Sequence, residues 1–159
     1  MNKITAKKDE AQHPYAVILR EEHLPLVAEL ERACFYSPWS ADALRLLIGE
    51  NALGAVIIEN GRALAYAGMT AVLDEGAITN VATHPDARRR GLGEAVLSFL
   101  LAKGMEKGLT TFSLEVRETN APAIRLYEKL GFVALGRRRN FYRHPSEDAL
   151  IMVKQITES

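Results

Sequence analysis

Apolar and polar positions change their period repeatedly along this chain, and each change marks an element. Positions 15–19 read as a first strand. Over 22–35, Leu26, Leu30 and Ala33 recur at helical spacing, which predicts a helix broken by Tyr36-Ser37-Pro38-Trp39. Ser40 can accept from a free helix N–H, so it predicts the N-cap of a second helix to Ile48, with Gly49 closing it. Residues 52–59 and 62–73 are β-rich and flank Asn60-Gly61, the pair that tolerates positive φ in a tight type I′ hairpin. Asp74-Glu75-Gly76 predicts another turn and 77–83 a further strand. A helix follows from Gly93 to Lys107, with Gly108 at its C-terminal end. Positions 110–116 alternate: Phe112, Leu114 and Val116 face one side, and Ser113, Glu115 and Arg117 the other. Asn120 then caps a helix with the apolar stripe Ala123, Leu126, Tyr127 and Leu130, with Pro122 in its first turn and Gly131 at its end. Strands over 132–136 and 148–153 complete the pattern.

Composition narrows the class. The 159 residues, 48% of them hydrophobic, suit one core, so 15–159 is expected to be a single domain and the polar stretch 1–14 a loose arm. Twenty basic and twenty acidic residues give a net charge of zero, which argues against a dedicated nucleic-acid binder despite the local runs Arg88–Arg90 and Arg137–Arg139. Cys34 is the only cysteine, so no intramolecular disulfide forms, and zinc-ligand spacings are absent. The first ten residues are charged and lack the apolar stretch of a signal peptide, and no apolar run approaches the roughly 20 residues that span a bilayer. A cytoplasmic protein with no membrane partner is expected.

The densest candidate chemistry is the run from Asn80 to Gly93, where a strand leads through three arginines and two glycines into a helix. A diphosphate suits such a place. Glycine allows close backbone approach, the first helical N–H groups are unpaired, and guanidinium groups add charge-assisted donors. The Gly-Lys-Ser/Thr ending of a P-loop is missing, and Gly91-x-Gly93 is followed by Val96 where a dinucleotide fingerprint has Gly or Ala. A surface turn with a solvated arginine run remains the plain alternative.

Arg88, Gly91 and Gly93 fit the Gln/Arg-x-x-Gly-x-Gly/Ala pattern of the GNAT N-acetyltransferase family, which holds the coenzyme A diphosphate. Leu114-Glu115-Val116-Arg117, Asn120, and the segment from Ala123 to Phe132 also resemble the second half of that family. Within it, Ser37-Pro38-Trp39-Ser40, the Leu-Glu-Val-Arg run, Arg139-Asn140-Phe141-Tyr142 and Glu147-Asp148-Ala149 with Met152 resemble the ribosomal-protein-alanine N-acetyltransferase subgroup. The resemblance implies an α/β fold with a twisted mixed sheet flanked by helices on both faces, for which the order β-α-α-β-β-β-α-β-α-β-β is fitting. It implies acetyl-CoA as cosubstrate, no metal, and transfer to the N-terminal α-amine of a protein, that of a small-subunit ribosomal protein beginning with alanine. A lysine or small-molecule amine as acceptor, or a non-catalytic acyl-CoA-binding or ribosome-binding module, are the alternatives. A monomer is expected, although no residue fixes the oligomeric state.

The same resemblance assigns the general base to Glu115 and the acid to Tyr127. It places coenzyme contacts at Val81, Ala82 and Thr83, along Arg88, Arg89, Arg90, Gly91, Leu92, Gly93 and Glu94, and at Asn120, and acceptor contacts at Pro38, Trp39 and Tyr142. Each has a structural alternative. Glu115 is otherwise a solvated strand residue paired with Arg117, Tyr127 a core aromatic with its hydroxyl at the edge, and Asn120 simply a helix cap. Glu94 departs from the basic or small residue common at its place, and is expected to point to solvent, since an inward carboxylate would repel a diphosphate. Phe141 stands where a typical Asn-Tyr-Tyr has its first Tyr. Cys34 reads as a small core residue, His84 as structural, and Arg137–Arg139 as a solvated strand end.

Overall fold

Asn60 and Gly61 adopt φ of 52° and 74°, the left-handed pair that a type I′ turn requires, and they join two long antiparallel strands. The computed structural model describes residues 14–157, so the expected arm lies outside the described residues except for Pro14. Seven strands, β1 (Ala16–Ile18), β2 (Ala52–Glu59), β3 (Arg62–Val72), β4 (Glu75–Thr83), β5 (Thr111–Arg117), β6 (Val133–Tyr142) and β7 (Glu147–Gln155), form one sheet in the order β1-β2-β3-β4-β5-β7-β6. Helices α1 (Leu24–Cys34), α2 (Ala41–Leu44), α3 (Leu92–Glu106) and α4 (Ala121–Lys129) complete the element order expected from the pattern.

Two apolar clusters lie on opposite faces of the sheet. Leu92, Val96, Leu97, Leu100 and Leu101 of α3 and Tyr127 of α4 pack against Ala55, Ile57, Ala67, Met69, Phe112, Leu114 and Val116. Leu24, Val27, Ala28 and Leu30 of α1, with Leu44 and Leu47, pack against Val56, Ala63, Tyr66 and Ala82. Strand β3 is therefore buried on both sides from Ala63 to Met69, and small residues dominate it.

Several boundaries differ from the expected ones. The helix predicted over 22–35 divides into a 3₁₀ turn at Glu21–His23 and α1, because Pro25 in the first turn has no N–H to bond back toward Glu21. Its buried stripe is Leu24, Val27, Ala28, Leu30 and Glu31, while Leu26 is half-buried and Ala33 exposed. The second helix ends sooner: Ser40 does cap it, accepting from Ala43 N–H at 3.1 Å, but the chain tightens to 3₁₀ at Arg45–Leu47. The turn expected at 74–76 sits one residue earlier, with Leu73 at φ 56° and β4 already begun at Glu75. The last two strands are much longer than expected. β6 is exposed at every residue up to Phe141, so backbone pairing with β7 holds it and no alternation of apolar residues announces it.

Candidate active site

Of the sheet's neighbouring pairs, only β4 and β5 run parallel, and their pairing covers just Glu75–Ala77 against Thr111–Ser113. Beyond it, an extra residue at Thr79 bulges β4, since Gly68 faces Asn80 while Met69 faces Ile78. The two strands diverge, and a cleft of roughly 640 Å³ opens between them. Ile78 to Val81 line one wall and Leu114 to Arg117 the other, with Asn120, Tyr127 and Tyr142 beside them. A loop from α1 (Phe35, Tyr36, Ser37, Trp39) and the β6–β7 turn (Arg143, His144) complete the lining. These two segments touch across it: the rings of Tyr36 and His144 stack with centroids 4.6 Å apart.

Strand alternation places Glu115 on the open face of β5, where it is half-buried and paired with Arg138 (Oε1 to Nε, 3.3 Å). The pairing with Arg117 that belonged to the alternative reading of Glu115 is not made. Arg117 instead reaches Glu147 at 3.2 Å and donates to the carbonyl oxygens of Pro145 and Arg143, while its guanidinium lies 4.5 Å from the centre of the Tyr142 ring. The run Arg137–Arg139 is likewise not simply solvated, because Arg137 pairs with Glu118 as Arg138 does with Glu115.

Tyr127 is a core aromatic that also reaches the cleft. It is 7% exposed, packs edge-on to Phe132, and yet lines the cleft. Burial, with a smaller contribution from Tyr142, pushes its hydroxyl up to about 12, so it holds its proton at any working pH. Tyr142 is pushed up to about 12 as well, by burial first and then by the Glu115 carboxylate. Asn120 caps α4, its Oδ1 accepting from Ala123 N–H at 3.3 Å, and also lines the cleft.

The arginine–glycine loop follows β4 through a 3₁₀ turn at Pro85–Ala87, pinned by His84, whose Nδ1 accepts from Asp86 N–H. Gly91, at φ 75°, is the N-cap residue of α3, and no side chain caps this helix. The leading N–H groups of α3 therefore have neither an intrahelical partner nor a side-chain acceptor. A Cβ on Gly93 would sit 3.3 Å from Thr83 Oγ1, a tight contact between the helix start and β4. Arg88 and Arg89 enter no ion pair among the described residues, whereas Arg90 makes two bonds to Glu59. Glu94 is half-buried and pairs with Lys129 at 2.9 Å, so its charge is neutralised beside the loop. An anionic diphosphate fits these donors.

Of the remaining candidates, Val81 lines the cleft and Ala82 is buried in the core under α1. Thr83 accepts through its carbonyl oxygen from the Cys34 thiol at 3.4 Å. Trp39 lines the cleft, and Pro38 is exposed outside it. Cys34 is half-buried: it packs against the cluster under α1 and also lines the cleft, where burial pushes the thiol up despite the nearby Arg88 guanidinium. Among the described residues, no cluster of His, Cys, Asp or Glu could hold a metal.

Sequence reasoning passed over Glu31, Tyr66 and Asn80. Glu31 is 2% exposed and lines the cleft; it accepts from Trp39 N–H at 2.9 Å and from the Tyr66 hydroxyl. A signal was present, since Glu31 falls seven residues after Leu24 on the apolar stripe of α1.

Residues 24–132 match the Acetyltransferase (GNAT) family. The chain is 39% identical over 141 residues to the ribosomal protein bS18-alanine N-acetyltransferase of Escherichia coli, covering 87% of this chain and 95% of that protein. It is also 39% identical over 142 residues to the enzyme of the same name from Salmonella typhimurium, with 88% and 96% covered. The crystal structure of the Escherichia coli ribosomal-protein-S18-alanine N-acetyltransferase superposes with a TM-score of 0.85 at 37% identity, over 92% of this chain and 96% of that one.

Proposed function

Because this chain belongs to the acetyltransferase (GNAT) family, we propose that it transfers an acetyl group from acetyl-CoA to the N-terminal α-amine of a protein, with the alanine terminus of ribosomal protein bS18 as its acceptor. The acceptor is carried over from the relatives' names. The single observation that carries the chemistry is that Glu115 and Tyr127, twelve positions apart, line one cleft between splayed strands.

Acetyl-CoA supplies a thioester whose carbonyl carbon the amine attacks directly. The diphosphate is held by the free N–H groups at the start of α3 with Arg88 and Arg89, and Val81 borders the arm that reaches into the cleft. Glu115 takes the proton that the attacking nitrogen sheds as the C–N bond forms. Tyr127 hands its phenolic proton to sulfur as the C–S bond breaks; the burial that raises its own hydroxyl also disfavours a bare thiolate there. Trp39 and Tyr142 flank the amine.

An α-amine suits this equipment better than lysine. With a pKa near 7.7–8.0, about a tenth of α-amine is free at pH 7, whereas lysine at about 10.4 would need roughly 3.4 kcal/mol more. The test is acetyl-CoA consumption with an alanine-starting peptide, the same peptide N-terminally blocked with an internal lysine, and no acceptor. Turnover only with the first is expected. Turnover with the blocked peptide would transfer the protein to the lysine class, and none with either would leave a binding module.

A further inference from the structure

We propose that Glu31 is a positioning residue: it fixes the loop over residues 35–39 against β3, the strand paired with the β4 that borders the acetyl donor, and so sets affinity for the acceptor without touching either substrate. The inference rests on the function proposed above and deepens it. One carboxylate oxygen accepts from Trp39 N–H at 2.9 Å, at the far end of that loop, and the other accepts from the Tyr66 hydroxyl on β3. On β4, which pairs with β3, Asn80 lies two residues before Ala82, the cross-strand partner of Tyr66, and its Oδ1 accepts from Thr79 Oγ1 at 2.6 Å. Thr79 is the bulged residue that parts β4 from β5. Glu31 thus ties the acceptor loop to β3, whose neighbour β4 carries the bulge where the cleft opens.

The tie is buried: Tyr66 is fully buried and Glu31 2% exposed. Burying a carboxylate is costly unless hydrogen bonds compensate, and the two donors here come from the two parts that must keep register. Residues 35–38 bury no side chain, and Tyr36 stacks on His144 across the cleft. Removing the carboxylate releases the inner end of the loop while leaving α3 and its phosphate-binding start intact.

Trp39 is the only tryptophan, so its fluorescence reports this loop directly. Glu31→Ala, Glu31→Asp and Glu31→Gln are compared with wild type by acrylamide quenching of the free protein, acetyl-CoA titration calorimetry, and steady-state kinetics with the alanine-starting peptide. Glu31→Ala should raise the quenching constant about twofold or more and the acceptor KM about tenfold, with acetyl-CoA Kd changed by less than about twofold, as befits losing hydrogen bonds to a charged group. Glu31→Asp, too short to span both donors, should shift in the same direction by a smaller factor even if the alanine variant does not fold. Glu31→Gln retains an oxygen for Trp39 N–H and should restore quenching and KM to within about threefold of wild type. Unchanged Trp39 quenching in both the Ala and Asp variants, or acetyl-CoA and acceptor affinity falling together, would overturn the assignment. Should wild type prefer another acceptor, the function proposed above fails, and the quenching measurement alone still decides whether Glu31 holds the loop.

Discussion

At the scale of single residues, the proposed division of labour rests on Tyr127 staying neutral and Glu115 staying near solvent. Replacing Tyr127 by Phe should preserve acetyl-CoA affinity and lower turnover by about 10²–10⁴, the usual worth of general acid catalysis. Wild-type turnover in that variant would leave Tyr127 a core aromatic. Its raised hydroxyl also has a stability consequence with a definite sign. Folded pKa near 12 against about 10 unfolded means the stabilisation is complete below pH 10 and is lost as pH climbs toward 12. Melting temperature followed from pH 8 to 12 should therefore fall less steeply in Tyr127→Phe than in wild type. Glu115→Gln should slow the reaction most at pH 6 and least near pH 9, where the amine is already free. A rate loss constant across that range would make Glu115 an orienting group and not a base.

At the scale of elements, the start of α3 is the part where the proposed coenzyme contact depends on backbone more than on side chains. A Cβ on Gly91 would meet only open space, so the requirement there is conformational: φ 75° is costly for a β-branched residue by about 1–2 kcal/mol. Gly93 has an ordinary conformation, and there the constraint is contact: a Cβ would crowd Thr83 Oγ1, and the branches of valine would add to it. Arg90 is already engaged by Glu59. Gly91→Val and Gly93→Val should each weaken acetyl-CoA binding more than Arg90→Ala does, by calorimetric titration. Equal affinity across the three and wild type would remove the loop from the coenzyme site.

At the scale of the whole molecule, the proposed acceptor end of the cleft is built from segments remote in sequence: the loop after α1, the end of β6 and the β6–β7 turn, bridged by Tyr36 and His144. Aromatic walls reject bulk by overpacking, typically about 1–3 kcal/mol or roughly five- to 150-fold in rate. Paired peptides differing only in their first residue, competed and read by mass spectrometry, should show alanine ahead of a bulky residue by that margin. Equal rates would show that Trp39 and Tyr142 do not shape a first-residue pocket.

Local signals in the sequence determined much of this protein. Asn60-Gly61 fixes its hairpin because few residues tolerate two positive φ angles, Ser40 and Asn120 cap helices through their own side chains, and the alternation from Phe112 to Arg117 sorts β5 into a core face and an open face. Such features need only near neighbours, so they are legible in the chain. The long β6 was not, since an edge strand held by pairing with β7 buries no stripe. Nor were the partners of charged residues: Glu115 finds Arg138 and Arg117 finds Glu147, choices made by register between strands and not by spacing along one. Glu31 shows the division most clearly. Its place on the apolar stripe of α1 could be counted from the sequence, but that its carboxylate meets Trp39 and Tyr66 depends on how α1 lies across β3, which only the packed tertiary structure decides.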